Sequence, residues 1–448
     1  MSAWKKVKIG DFLTESKILA EDSDADHRIT VRLNCKGVEK RGLKAEKEGA
    51  TKYYKRKAGQ FIYGKQNIHK GAFGVIPKEL DGFTSSADLP AFDIDKSKCI
   101  PEWLCLCLKV DERYKTLQKD VKGVGSQRLA VNIFLNVEIP LPDLQEQKRI
   151  VSEISEKLEN IQQLSDEVEK QKFYAKQLRA NLLQDAIEGK LTADWREKHP
   201  VKKGNPDYDA EALFEKIGEI KETLKKDPLV RREKKRSPVS ETEKEFVIPA
   251  NWIWIRMGEL CYPITKGTTP DVHEIKADGE IPYLKMFNIV NQKLDFDYRP
   301  QFISQKVHNE KLARSKVYPN DVIMNIVGPP MGKIAVITDE YPEWNLNQAM
   351  AIFRGYDVSI NPYIYVYLNS MVWFKYVHTL GVVGQENMSL AQCKDIAVAF
   401  PPLAEQKEIV TRVEKHLETI TQIETQIAIR ETLTKQLMQG FLKDAFEE

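Results

Sequence analysis

Few residues in this chain have the types and spacing needed for covalent or metal chemistry. Asn361-Pro362-Tyr363 carries most of an Asn/Asp-Pro-Pro-Tyr/Phe amine-methylation motif but lacks its second proline, and the same residues make an ordinary helix start. Gly64-Lys65-Gln66 has the glycine and lysine of a phosphate cradle without the Gly-x-x-x-x-Gly-Lys-Ser/Thr spacing that wraps backbone amides around a triphosphate. No glycine-rich loop for S-adenosylmethionine is evident after a strand. Asp271 with Glu274-Ile275-Lys276 suggests a metal-dependent nuclease, but these carboxylates are too close in sequence to come from two adjacent strands, and a surface turn explains them better. Cys99, Cys105 and Cys107 have no Cys-x-x-Cys or His partner at zinc spacing, and the last two fall in an apolar segment where thiols pack. The seven histidines form no cluster. The sequence therefore offers no active site of its own.

What it offers instead is a repeat. Pro142-Asp143-Leu144-Gln145-Glu146-Gln147-Lys148-Arg149-Ile150-Val151 opens a long amphipathic segment, and Pro401-Pro402-Leu403-Ala404-Glu405-Gln406-Lys407-Glu408-Ile409-Val410 opens another that aligns with it without a gap. The apolar steps Val151, Ile154, Leu158, Ile161, Leu164, Val168, Ala175, Leu178 and Leu182 predict one helix. Val410, Val413, Leu417, Ile420, Ile423, Ile427, Leu433, Leu437 and Phe441 predict the other. Neither contains proline, so each can run about 40 residues and roughly 60 Å. A narrow stripe on so long a helix needs a partner helix. A homodimeric coiled coil would supply one, while two copies in one chain favour antiparallel pairing within it.

The repeat extends into the globular regions. Trp4-Lys5-Lys6-Val7-Lys8-Ile9-Gly10-Asp11-Phe12 echoes Trp252-Ile253-Trp254-Ile255-Arg256-Met257-Gly258-Glu259-Leu260, and Ile100-Pro101-Glu102-Trp103-Leu104 echoes Asn361-Pro362-Tyr363-Ile364. Gly125-Ser126-Gln127-Arg128 stands where Gly384-Gln385-Glu386-Asn387 stands, while the middles of the two modules share little. Strands are expected at Val322-Ile323-Met324 and at Lys333-Ile334-Ala335-Val336-Ile337. The fold class is therefore mixed α/β. Two globular domains (1–141 and 246–400) alternate with two long helical segments (142–191 and 401–448), joined by a polar linker (192–245). The linker should hold one helix, capped near Asp207 or Asp209 and running through Leu213, Ile217, Ile220 and Leu224. Its Arg231 to Arg236 run suits a solvated linker better than phosphate contact or docking. A pseudo-dimeric chain suits a pseudo-symmetric ligand, and duplex DNA with two half-sites is the commonest.

Composition permits that reading without arguing for it. The 448 residues are enough for two to four domains, at 42% hydrophobic and 30% charged, with a net charge of +2. No apolar run approaches the roughly 20 residues of a membrane span. Met1-Ser2-Ala3-Trp4-Lys5-Lys6 lacks a signal-peptide core, and six cysteines without repeating spacing fit a reducing cytoplasm.

The Pro-x-Leu-x-Glu-Gln-Lys-x-Ile-Val motif before a long helix, used twice, resembles the specificity subunits of type I restriction-modification enzymes. Gln184-Asp185-Ala186-Ile187-Glu188-Gly189-Lys190-Leu191-Thr192-Ala193-Asp194-Trp195-Arg196 looks like that family's central region, and Phe246-Val247-Ile248-Pro249-Ala250-Asn251-Trp252 like the entry to its second recognition domain. Gly267-Thr268-Thr269-Pro270, Gly332-Lys333-Ile334-Ala335 and Asn347-Gln348-Ala349 match patterns common in its recognition domains; module one lacks the Gly-Thr-Thr-Pro turn. The resemblance implies a non-catalytic chain with two target-recognition domains, each reading half of a split, asymmetric double-stranded DNA site. The helices would act as spacer and as dock for two methyltransferase subunits, with restriction subunits joining. S-adenosylmethionine, ATP and Mg²⁺ would sit on those partners, and no cofactor on this chain.

Base edges call for Arg, Lys, Asn and Gln; phosphates call for Lys, Arg, hydroxyls and backbone amides. The expected readers in module one are Lys52, Tyr54, Lys55, Arg56, Lys65, Gln66, Asn67, Gln127 and Arg128. In module two they are Lys266, Thr268, Thr269, Lys285, Asn288, Asn325, Lys333, Asn347, Gln348 and Asn387, of which Asn347 and Gln348 lean towards holding their loop. The expected docking and spacer residues are Glu146, Gln147, Ile154, Leu158 and Ile161, with Glu405, Gln406, Val413, Leu417 and Ile420. Two other readings stay open: a coiled-coil scaffold whose heads bind proteins, and an enzyme whose site has no familiar motif.

Overall fold

In a computed structural model, described over residues 4–20, 25–42, 52–120, 128–328, 330–376 and 387–447, the chain divides into two compact units. Residues 1–171 and 426–448 form the first and residues 172–425 the second, so each long helix contributes to both.

Unit one is built on an antiparallel sheet of β2 (Leu13–Ser16), β3 (Phe61–Tyr63), β4 (Phe73–Val75) and β5 (Ala91–Ile94), in the order β2-β5-β3-β4. Side chains alternate across it with the two-residue period of a strand. Phe61 and Tyr63 enter the large core with Phe73, Phe92, Trp103 and Phe134, whereas Ile62 turns to a second cluster with Ile29, Ile76 and Leu80. Each aromatic ring so buried contributes about 1.5–3 kcal/mol. A separate two-stranded ribbon, β1 (Lys6–Lys8) with β6 (Glu138–Pro140), closes the domain beside α1 (Pro101–Lys109), whose Trp103 indole donates to the Pro140 carbonyl at 3.0 Å. α2 (Leu144–Ile187) starts just after β6.

Unit two repeats this plan. β8 (Thr265–Lys266), β12 (Val322–Asn325), β13 (Ile334–Val336) and β15 (Met350–Phe353) pair antiparallel in the matching order β8-β15-β12-β13. Ile62 pairs with Gly74 and Ala91, and Ile323 likewise with Ala335 and Ile352. The ribbon recurs as β7 (Ile253–Arg256) with β16 (Ala397–Phe400), and the apolar helix as α4 (Asn361–Asn369). Asn361 is buried there, its amide oxygen accepting from Gly355 N–H and its amide nitrogen donating to the Asn320 carbonyl. It is a helix start, as its proline suggested. Unit two adds a second sheet of β9 (Ile281–Leu284), β10 (Phe302–Ile303), β11 (Lys316–Val317) and β14 (Trp344–Leu346), in which β9 and β14 run parallel. This insertion accounts for the middles of the modules sharing so little sequence.

α2 and α5 (Leu403–Glu447) are single helices of 44 and 45 residues, as their proline-free patterns predict. Gly189, in the left-handed region at φ +76°, follows α2; a Cβ there would lie 2.6 Å from Pro249. In unit one Arg430 donates to Gln171 and the Lys157 ammonium lies over the Phe441 ring; in unit two Arg179 pairs with Glu424 at 2.8 Å. In each unit the pairing is antiparallel. The seam is narrower than the sequence stripe: Ile154, Ile161, Val168 and Ala175, and Val413, Ile420 and Ile427, are buried at seven-residue intervals. Leu164, Leu178, Ile423, Leu433 and Leu437, expected on the stripe, are exposed instead. A 3.6-residue turn drifts relative to a mixed three-and-four pattern, and only one position per heptad stays fully covered.

The expected polar linker is corrected. Helices Ala193–Lys198, α3 (Ala210–Thr223) and Pro228–Arg232 occupy it, and Leu213, Ile217 and Val230 belong to unit two's main core. Asp209, not Asp207, caps α3 by accepting from Glu211 N–H. The pattern of α3 is amphipathic, and it covers the domain rather than solvating a connection.

The start of α5 is held by a buried carboxylate. Glu405 accepts from Thr192 Oγ1 at 2.8 Å and from the Arg196 guanidinium on one oxygen, and from Trp252 Nε1 at 2.8 Å and Asn251 Nδ2 at 3.2 Å on the other. Removing one partner of such a buried ion pair costs about 3–5 kcal/mol. Glu405→Ala should lower the stability of unit two by that order in urea titrations followed by tryptophan fluorescence; an unshifted midpoint would refute the role given to Glu405. A second ion pair has a pH signature. The Arg256 guanidinium, buried and bidentate on Glu243, holds that carboxyl down to about 2, below its ordinary 4.5. Because the folded value is the lower one, this contribution is complete above about pH 4.5 and vanishes as pH falls towards 2. Glu243→Gln should flatten the acid decline of the urea midpoint across that window, and an identical decline in both proteins would count against it.

Candidate nucleic-acid interface

The two sheets end in the same hydrogen-bonded frame. In unit one Gly64 N–H donates to the Ala72 carbonyl, Lys65 N–H to the Asp88 carbonyl, and Leu129 N–H back to the Lys65 carbonyl, at 2.8–2.9 Å. In unit two Asn325 N–H donates to Lys333, Ile326 N–H to Ala349, and Met388 N–H to Ile326, again at 2.8–2.9 Å. Three loops therefore meet at one end of each sheet, and residue for residue Arg128 stands where Asn387 stands.

In unit one this brings Lys65 and Arg128 together, with half-buried Gln66 and Asn67 following in the loop. The Arg128 guanidinium forks onto Asp88 (Nε–Oδ1 2.9 Å, Nη2–Oδ2 3.2 Å), and that carboxylate raises its pKa further. Asp88 holds the fork in a fixed plane, which suits bidentate recognition. Nothing local in Ser85-Ser86-Ala87-Asp88 marks it for this role, and sequence reasoning missed it. Tyr54 is half-buried and Lys55 exposed on the strand Tyr53–Lys55, which pairs with Thr84–Ser86; exposed Lys52 adjoins it. Gln127 lies outside the described residues.

In unit two the turn at residues 347–349 is the hub. Thr268 N–H donates to the Leu346 carbonyl and Asn347 N–H to Leu284, both at 3.0 Å, which gathers Thr268, Lys285 and Asn347. Gly267 is required there, since a Cβ would meet the Asn347 carbonyl oxygen at 2.0 Å. Lys266, Thr269, Gln348 and Asn387 are exposed; Lys285 and Lys333 are half-buried. Asn347 holds its own loop, its side chain accepting from Ala349 N–H. Gln292, which no sequence pattern marked, ties Gly332 and Ile334 together through its amide.

Several expected readers are structural instead. Arg56 is 1% exposed and spends its guanidinium on Ser85 Oγ and the Ser16 and Leu89 carbonyls, at 2.7, 2.9 and 3.1 Å; burial lowers its pKa to about 10, so it stays charged at neutral pH. Asn288 is buried, accepting from Lys285 N–H and donating to the Asp295 and Tyr298 carbonyls. Asn325 is buried, accepting from Lys333 N–H and donating to the Val327 carbonyl. Residue type alone suggested base contact; full enclosure of the amides rules them out as readers in this conformation.

The expected docking residues divide in the same way. Gln147 is buried and takes Ile100 N–H while donating to the Lys98 and Pro142 carbonyls; Gln406 is buried and donates to the Pro401 carbonyl. These two and Glu405 fasten helix starts to their own domain. Ile154, Ile161, Val413 and Ile420 are enclosed by the fold, Leu158 and Leu417 are half-buried, and Glu146 is half-buried beside Arg149.

The division between Arg56 and Arg128 can be measured. Arg56→Met takes the guanidinium donor from the Ser16 carbonyl and from Ser85 Oγ, at about 1–3 kcal/mol each, and should visibly lower the urea midpoint. Arg128→Gln, at an exposed pair, should stay within about 0.5 kcal/mol. Equal losses would contradict the assignment.

The family model for the type I restriction modification DNA specificity domain matches residues 1–170 and 249–431. The chain is 25% identical over 259 residues to the type I restriction enzyme EcoEI specificity subunit of Escherichia coli, covering 56% of this chain and 41% of that protein. It is 24% identical over 339 residues to the EcoBI specificity subunit of the same organism, covering 74% and 62%. The matches thus span less than two thirds of those relatives. A solved chain, from work on complex assembly and conformational transition of the type I R-M system, shares the fold with a TM-score of 0.58 at 16% identity, over 99% of this chain and 97% of that one. The chain belongs to the family of type I restriction modification DNA specificity domains.

Proposed function

We propose that this protein is the DNA sequence-specificity subunit of a type I restriction-modification complex, working in the cytoplasm and without catalysis of its own. Its two units would each read one half of a bipartite, asymmetric double-stranded site. One observation carries the reading: the same three-loop frame occurs in both units with different side chains on it, Lys65 and Arg128 on one, Thr268, Lys285, Lys333 and Asn387 on the other. Equivalent scaffolds with unlike surfaces suit half-sites of unlike sequence. The exposed leucines and aromatics of α2 and α5 support docking of two methyltransferase subunits, with restriction subunits joining that assembly. S-adenosylmethionine, ATP and Mg²⁺ would then act on those partners. The family match weighs against a scaffold whose heads bind only proteins.

Arg128, forked and buttressed by Asp88, is the expected base reader of unit one. In the complex with methyltransferase subunits, Arg128→Ala should weaken binding by about 1–3 kcal/mol on the half-site that unit one reads. Competition between duplexes altered in one half or the other measures this. Equal weakening on both halves and on random DNA would overturn the assignment.

A further inference from the structure

The basic run at Arg231 to Arg236 was expected to be a solvated connection, but it is fastened to unit two along its length. Val230 is buried, Glu233 pairs with Lys394, Arg236 N–H donates to Glu259 at 2.7 Å, and the Arg236 guanidinium pairs with Asp395 at 2.9 Å. Glu259 also takes the Lys221 ammonium at 2.7 Å. The carboxylates packed against the strip are therefore already matched to cations. Arg231, Arg232, Lys234 and Lys235 are exposed, and none of the four side chains carries an ion pair or hydrogen bond among the described residues. Arg232, Lys234 and Lys235 line an open polar hollow with Lys394 and Asp395.

We infer that this strip is a phosphate-binding surface for duplex DNA, separate from the base-reading loops. The inference rests on the reading of unit two as a DNA reader. Four uncompensated cations on an anchored segment suit a regular array of phosphates, which they would engage without reading sequence. Position favours DNA over an acidic protein. The short helix Leu390–Asp395 begins three residues after Asn387 of the reading edge and ends at Lys394 and Asp395, which hold the strip. Six residues of helix rise about 9 Å and the three residues before it span at most about 10 Å, so the strip's anchor lies within about 20 Å of Asn387, roughly six base-pair steps of duplex. A duplex seated on the reading loops would thus have backbone within reach of the strip.

The test is salt-dependent binding by the assembled complex, using a duplex carrying its mapped methylation motif and a scrambled duplex of equal length. The variant replaces Arg231, Arg232, Lys234 and Lys235 together by Gln; all four are exposed, so the fold should be retained. The expected result is a shallower slope of log affinity against log salt, by up to about 3.6 if all four meet phosphates, equally on both duplexes, with the methylated motif unchanged. An unaltered slope overturns the inference, and so does an unaltered slope accompanied by loss of a subunit from the complex, which would make the strip a protein dock. If the unsubstituted complex shows no preference between the duplexes, the reading of unit two fails instead.

Discussion

The fully enclosed carboxylate of Glu405 is the interaction on which unit two depends. It lies at the first turn of α5, and its donors come from the segment after α2 (Thr192 and Arg196) and from the entry to the second domain (Asn251 and Trp252). One ion therefore fixes where a long helix starts, where the preceding chain turns back and how the domain is entered. A buried carboxylate is tolerable only when every lone pair is met, so the four donors must arrive together. That requirement links segments more than 200 residues apart and makes the helix start a rigid part of the domain.

Rigidity there matters for the loops at the ends of the sheets, where the candidate readers sit. The frame that holds them is made of backbone hydrogen bonds, identical in register in the two units, so side chains on it can vary without disturbing it. Buried polar residues complete the frame, Arg56 in unit one and Asn288 and Asn325 in unit two, together with half-buried Gln292. Exposed Arg128, Gln348 and Asn387 then project from loops, and Lys266 from the end of β8, on a backbone whose geometry is already determined. A site built this way loses little entropy on binding, since the loops are ordered beforehand.

The architecture was legible in the sequence because it rests on periodicity and repetition. The two long helices follow from unbroken apolar steps, and the strands at Val322 and Ile334 from β-branched runs. The shared strand order was not legible, since the sheets use different residues to fill equivalent positions, Phe61 against Val322 or Tyr63 against Met324. Nor was the role of residues 192–245: α3 shows its apolar face, but its surrounding charge reads as solvation. At the interface, residue type identified groups able to touch DNA without separating those that are enclosed. Arg56 and Arg128 look alike in sequence and differ in burial, which is set by a strand 29 residues away in one case and by a surface aspartate in the other.

If two equivalent frames read two unlike half-sites for one complex, the DNA positions that complex modifies must show it. The most direct test is to assemble the chain with methyltransferase subunits and map methylated positions across genomic DNA. The expected result is a single asymmetric motif made of two specific segments separated by a fixed gap. Methylation at one uninterrupted motif, or at positions sharing no sequence, would contradict it.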